Sequence, residues 1–462
     1  MPAKMISRRR LLGSGLAISL FDCSARGEPA AGQDGSLILE AAPGSLRLLP
    51  EPAAPTPVLA FNGAVPGPLL RCKKGEELKI RLVNGLEQPT SLSWPGVRIV
   101  NGMDGVGGLT QKPVAPGESF DYRFTPPDSG LFGYRPAVLP FAGEQFGRGL
   151  YGALIVDEPD PPKADRDMLA VIADWRLDDK GAIIADFDAK EDAAGRGRVG
   201  SLVTLNSTAV PVAETMPPGS RVRLRLLSAV NARIMSIAFE GLKPLILAVD
   251  GQPADSAFEP VRQTIPVGPG ARFDMMFDLP EEAAAQARLI LRGDNEPDRV
   301  LLSFRTEGEA RKSLPAIGSL PVNPSLPAEI RLQNAKRAEL VIEPAKQASA
   351  EGTQPLYWTI NGVAAAAFSA KPLFSVKRGS PVTLAIVNRS AFIQDIHVHG
   401  HSMRLLHDLD DGWEPYWRDS VLVPAGKTKH LAFIADNPGK WAIESAIAER
   451  QATGLSAWFL VT

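Results

Sequence analysis

Two stretches far apart in the chain, KKGEELKIRLVNGL at 73–86 and KRGSPVTLAIVNRS at 377–390, follow one plan. Each carries a run in which apolar and polar residues alternate, and the first closes on an Asn-Gly turn. Alternation of period two describes a strand with one face on a core and the other facing water. The likeness continues downstream, where VAPGESFDYRF (114–124) matches VPAGKTKHLAF (423–433). A third copy of the theme lies between them, as MPPGSRVRLRLLSA (216–229) and VGPGARFDMMF (267–277). The spacing predicts three consecutive Greek-key β-sandwich domains over 36–160, 166–312 and 328–462, an all-β chain. DEPDPPKADRD (157–167) and the Pro-rich stretch 314–327 are the expected linkers.

Composition agrees with that plan. The 462 residues include 42 Gly and 41 Pro, which suits many short strands joined by turns. With 50 Lys+Arg against 52 Asp+Glu, charge gives no case for nucleic acid or an anionic membrane as the main partner. At the N-terminus, SRRRLLGSGLAISLF sets Arg8 and Arg9 before an apolar run, Leu11 to Phe21, too short to span a bilayer. It reads as a twin-arginine signal within 1–31, cleaved between about Ala25 and Ala31, so the expected location is the periplasm. Cys23 follows Asp22, a poor lipidation context. Cys72 is then the one cysteine of the mature chain, expected as a half-buried structural thiol. The five histidines, His397, His399, His401, His407 and His430, all fall in the last quarter.

The segments 70–124, HVHGHSMRLL (397–406), 418–441 and GLSAWFLV (454–461) resemble the multicopper oxidases, a family of three-domain cupredoxin proteins. That resemblance implies a mononuclear copper held by His, Cys and His, and a three-copper cluster held by eight histidines. Imidazole and thiolate suit copper, so activity can be judged ligand by ligand. The family's H-W-H falls on Ser93–Trp94–Pro95, and its first-domain H-x-H falls on Arg135–Pro136–Ala137. In the third domain H-x-x-H-x-H falls on Gln394, Asp395, Ile396, His397, Val398 and His399. H-C-H becomes Glu444–Ser445–Ala446, the later histidine is Arg450, and the axial position is Leu455. His397 and His399 are thus relict ligands. Ser93, Pro95, Arg135, Ala137, Gln394, Glu444, Ser445, Ala446, Arg450 and Leu455 stand where ligands would be.

The resemblance therefore implies a degenerate, copper-free member with no catalytic residues and no cofactor, similar to an exported branch of the family that serves cell division. The expected role is a binding or scaffold protein with a protein partner in the periplasm, no nucleic acid, and peripheral membrane or divisome association. Two alternatives remain: an oxidase with atypical copper binding, and a copper carrier using the C-terminal histidines. Arg135 and Glu444, approaching the same cluster from different domains, are expected to pair, with His399 nearby, because an unpaired buried charge costs several kcal/mol. His397, His399 and His401 would share a strand face if no bend intervened, although Gly400 favours one. Met403 is read as core, DGVGGLTQ (104–111) as a loop without phosphate-binding character, and the aromatic segment 410–420 as an exposed docking surface.

Overall fold

The computed structural model describes residues 30–32, 35–294, 296–351, 354–407 and 412–462. The signal segment, apart from Ala30 and Ala31, lies outside the described residues. The chain forms three sandwiches in sequence, each of two sheets, as the repeat predicts. In all three the opening strand runs parallel to the strand of the repeated motif. Leu37–Leu46 pairs with Leu78–Asn84, Arg166–Trp175 with Arg221–Ser228, and the long strand Lys336–Glu351 with Ser380–Asn388. The second matched motif then adds an antiparallel neighbour: Ser119–Phe124, Arg272–Asp278 and Thr428–Ala435.

A further repeat escaped the sequence reading. Asn62, Asn206 and Asn361 each adopt a left-handed backbone, with φ of 51°, 50° and 51°. Asparagine tolerates this region because its short polar side chain bonds locally. Each amide clamps the opening strand of its own sandwich from the side. Asn62 accepts from the Glu40 N–H and donates to Ile38 O, at 2.6 and 2.7 Å. Asn206 does the same to Val171 and Leu169, and Asn361 to Val341 and Glu339. The turns ending the repeated motif also match. Asn84 Nδ2 donates to Gln88 O and Val114 O, while Asn388 Nδ2 donates to Phe392 O and Val423 O.

The apolar faces of the first and third sandwiches merge into one continuous core that contains Trp94, Tyr122, Trp358 and Trp441. The second sandwich has a core of its own. Both linkers are docked. Glu158 and Asp167 at the ends of the first meet the buried Arg223 and Arg225, which also share Asp274. In the second, Asn323 donates to Asp128 Oδ1 at 2.6 Å and Gln252 Oε1 at 2.9 Å, and Leu320 packs against Leu247 and Met276. Met403 is core, as its sequence context indicates.

Two expectations need correction. Cys72 is buried rather than half-buried, on the strand Leu70–Lys73, and burial beside Glu76 and Asp157 pushes its thiol up to about 12. The aromatic segment is not an exposed docking surface. Tyr416 stacks on Phe258 of the second sandwich, 5.5 Å between centroids and 12° between planes. Trp417 is buried, and Arg404, held by Asp255, covers its ring at 4.7 Å. These side chains serve contact between sandwiches, which consumes apolar area that sequence alone cannot assign to inside or outside. Residues 410 and 411 of that segment lie outside the described residues.

Candidate functional site

The positions that the resemblance assigns to copper ligands converge where the first and third sandwiches meet. Ser93 and Arg135 are cross-strand partners, with Ser93 N donating to Arg135 O at 2.8 Å and Arg135 N to Ser93 O at 3.1 Å. On the other side, His397 and Glu444 sit opposite one another on the strands Gln394–Val398 and Gly439–Ser445. Opposed residues of an antiparallel pair share a face. Arg135 Nη2 comes within 3.8 Å of Glu444 Oε1, so the two charges form an ion pair between the sandwiches. The same oxygen accepts from Gln451 Nε2 at 3.0 Å and lies 3.5 Å from His399 Nε2.

His399 has a second carboxylate, which sequence reasoning missed. Its Nδ1 donates to Asp104, 3.1 and 3.2 Å from the two oxygens. Burial alone would push this imidazole down, but the Asp104 charge and hydrogen bond, with Glu444, outweigh it and raise His399 to about 10. At neutral pH it is an imidazolium with protons on both nitrogens and no lone pair for a metal. The two cations Arg135 and His399 thereby face the two carboxylates Glu444 and Asp104. Asp104 begins DGVGGLTQ, whose glycines drew attention away from its one carboxylate.

His397 has the opposite character. Burial and the charge of His399 hold it below the ordinary imidazole value, against the pull of Asp419. Its Nδ1 lies 3.1 Å from both the backbone O and Oδ1 of Asp419, so Nδ1 carries the proton and Nε2 is left with its lone pair. Nε2 has no hydrogen-bond partner among the described residues. Behind it Asp419 pairs with Arg272 of the second sandwich, which lies 3.7 Å from Asp250 Oδ1. Gly96 of the first sandwich backs onto this pair so closely that an added Cβ would meet Arg272 Nη2. The apolar setting of Arg272 in GARFDMMF was the available clue, since a buried guanidinium must find an acid.

His401 does not join the other two. The strand ends at Val398, and Gly400 turns the chain with φ +68°, its Cα packed against the Trp441 ring. The His401 ring lands among Phe433, Trp441 and Phe459 at 5.3–5.6 Å, and burial lowers it to about 4. His397 and His399 remain adjacent, 4.5 Å between ring centroids.

The positions corresponding to a mononuclear centre are filled by a different network. Arg450, fully buried, donates to Gln394 Oε1 at 2.7 Å and to Ile393 O at 2.8 Å, and lies 4.9 Å over the Trp358 ring. Gln394 Nε2 donates to Ser390 Oγ, and Ser445 Oγ accepts from the Ile447 N–H. Leu455 and Ala446 are buried with them, while Pro95 and Ala137 contribute no donor atom from their side chains. This donor set does not suit copper. It holds no thiolate, one free imidazole lone pair at the His397–His399 pair, and guanidinium groups at Arg135 and Arg450 where cations would sit. Among the described residues no group of three or more His, Cys, Asp or Glu side chains is arranged to hold a metal ion.

The fold thus defines a three-sandwich cupredoxin protein, and comparison with known proteins gives its family. Profiles described as multicopper oxidase match residues 46–161 and 332–462. The structure of Lac15, from a marine microbial metagenome, is 30% identical, with 92% of this chain and 99% of that chain covered and a TM-score of 0.74. A multi-copper oxidase from Pseudomonas thermotolerans is 29% identical, covering 94% and 100%, with a TM-score of 0.81. The multicopper oxidase MmcO of Mycobacterium tuberculosis is 27% identical over 98% of this chain and 96% of its own length. The chain belongs to the multicopper oxidase family.

Proposed function

We propose that this chain is a copper-free member of the family, working as an exported binding or scaffold protein and not as an oxidase. The observation that carries the reading is the buried set Arg135, Glu444, His399 and Asp104. Side-chain charges tie the first and third sandwiches together there, where the resemblance implies metal ions, and one relict ligand is protonated on both nitrogens. The finer likeness, to the copper-free cell-division protein SufI/FtsP, supports export by the twin-arginine route and a protein partner in the periplasm. Peripheral membrane or divisome association belongs to the same proposal. No helix among the described residues is long and apolar enough to cross a membrane.

Copper content of the signal-cleaved protein, after growth in copper and after reconstitution, tests the reading. Below about one-tenth of a copper per chain, without colour, the oxidase alternative ends. Three or four coppers with oxidase activity would overturn the proposal. The unpartnered Nε2 of His397 favours a second reading, in which one weakly held copper marks a carrier. A single copper lost in His397→Ala would support that reading instead.

A further inference from the structure

Between the strands Arg166–Trp175 and Leu202–Leu205 the second sandwich carries an excursion across the third. It begins as a small hairpin closed by the Leu177–Ile183 bridge and continues through residues 185–199, which contain the short helix Lys190–Ala193. Much of its shape is set by its own ion pairs. Arg176 donates to Asp192 at 2.5 and 2.9 Å and to Asp186 at 3.0 Å, and Arg198 pairs with Asp186 and donates to Ile184 O. The excursion therefore keeps its internal stapling whether or not it touches its neighbours.

Its hold on the third sandwich has another character. Trp358 Nε1 donates to Ala193 O and Arg450 Nη2 to Gly195 O, both at 2.6 Å. Of the apolar side chains in 185–199 only Ala193 is fully buried, while Phe187 and Val199 are half-buried. The segment's own apolar side chains thus add little to its hold, and beneath it Gly197 packs on Ala232 and Ile447. Beneath it lies the helix Ala448–Gln451 with two ionisable side chains largely out of water, Glu449 and Arg450. A methyl added to Gly197 would come within 3.4 Å of Glu449 Oε2. Burial raises Glu449 above the usual carboxylate range, against hydrogen bonds that include one from the Arg198 backbone of the segment itself, and lowers Arg450 to about 10. A hold made of two side-chain hydrogen bonds to backbone carbonyls, on a segment stapled within itself, describes an element that opens locally, before the sandwiches unfold.

We infer that residues 185–199 form a strap that lifts off the third sandwich as a unit, latched by the side chains of Arg450 and Trp358 onto the carbonyls of Gly195 and Ala193. Lifting uncovers the helix Ala448–Gln451 and the Arg450–Gln394 pair, and the Leu177–Ile183 hairpin serves as the hinge.

Peptide-resolved hydrogen exchange on the whole mature chain tests the strap, together with native trypsin digestion at its exposed Lys190 and Arg196. The amides of Ala193, Ala194 and Gly197 are hydrogen-bonded in and beside a single helical turn, which is too short to protect them once lifted into water, so they report the opening. They should exchange by a route nearly independent of low urea, while the amides of Arg166–Trp175 follow global unfolding. Trp358→Phe keeps the ring and removes one donor, so strap exchange and nicking should rise about tenfold with the neighbouring strands unchanged. Arg450→Met should act in the same direction. Acceleration confined to the strap in either folded variant supports the latch. Strap amides that share the strands' urea dependence, or rates within about twofold of the parent in Trp358→Phe, would overturn it.

Discussion

Asp104→Asn is nearly isosteric and leaves an oxygen able to accept the His399 Nδ1 proton, so it removes a charge and little else. In the parent the rise of His399 from 6.5 to about 10 corresponds to on the order of 4–5 kcal/mol of linked stability, at about 1.4 kcal/mol per unit. Asp104 is the first of the groups that raise it, ahead of Glu444. Its loss should therefore remove about 2–4 kcal/mol at pH 7. The sign fixes the pH dependence. A group with a raised folded value contributes fully below its unfolded value of 6.5 and loses that contribution as pH climbs through about 10. The gap between parent and variant should be widest near pH 6.5 and narrow steadily towards pH 10. Urea midpoints followed by tryptophan fluorescence at several pH values would measure it, and the His399 C2 proton resonance would follow the titration itself. A gap that is constant with pH, or below about 0.5 kcal/mol at pH 7, would refute the assignment of His399 as a buried imidazolium.

Glu444→Gln leaves Arg135 and His399 facing one another with one carboxylate fewer and should cost about 3–5 kcal/mol. Adding Arg135→Met should recover part of that loss, and a double-mutant cycle on urea midpoints measures the coupling, expected at about 1–3 kcal/mol. Ser445→Cys alone should yield no thiolate-to-copper absorption on reconstitution, because the Gln394–Arg450 hydrogen bond still fills the neighbouring ligand positions; a visible spectrum decides it. Asn206→Ala removes a side chain bonded to both Val171 N and Leu169 O, so its unfolding free energy should fall by about 1–3 kcal/mol.

The sandwiches were legible because alternation is a local signal. VNGL and VNRS announce the same turn, and the matched motifs occupy the same places in the sheets. The Arg135–Glu444 pair was legible for a different reason: burying one charge demands another, and the resemblance put both at one junction. Asp104 and Arg272 were not legible, since each acts across a contact between sandwiches and its neighbours in sequence announce a loop and an apolar strand. The aromatics at 413–417 failed for the same cause. Whether a tryptophan faces water or another sandwich depends on docking, which leaves no periodic trace in the chain. His401 leaves the face of His397 and His399 through the bend that Gly400 favours.

The three asparagine clamps carry a lesson about how such a chain can change. Each closes its own sandwich through one side chain and two backbone atoms, remote from the junction that holds Arg135 and His399. Architecture and chemistry are therefore written in separate sets of residues. Histidines at the junction can be exchanged for serine, proline, arginine or glutamate without touching what closes the sandwiches, so the fold can be inherited intact by a descendant with an altogether different occupation.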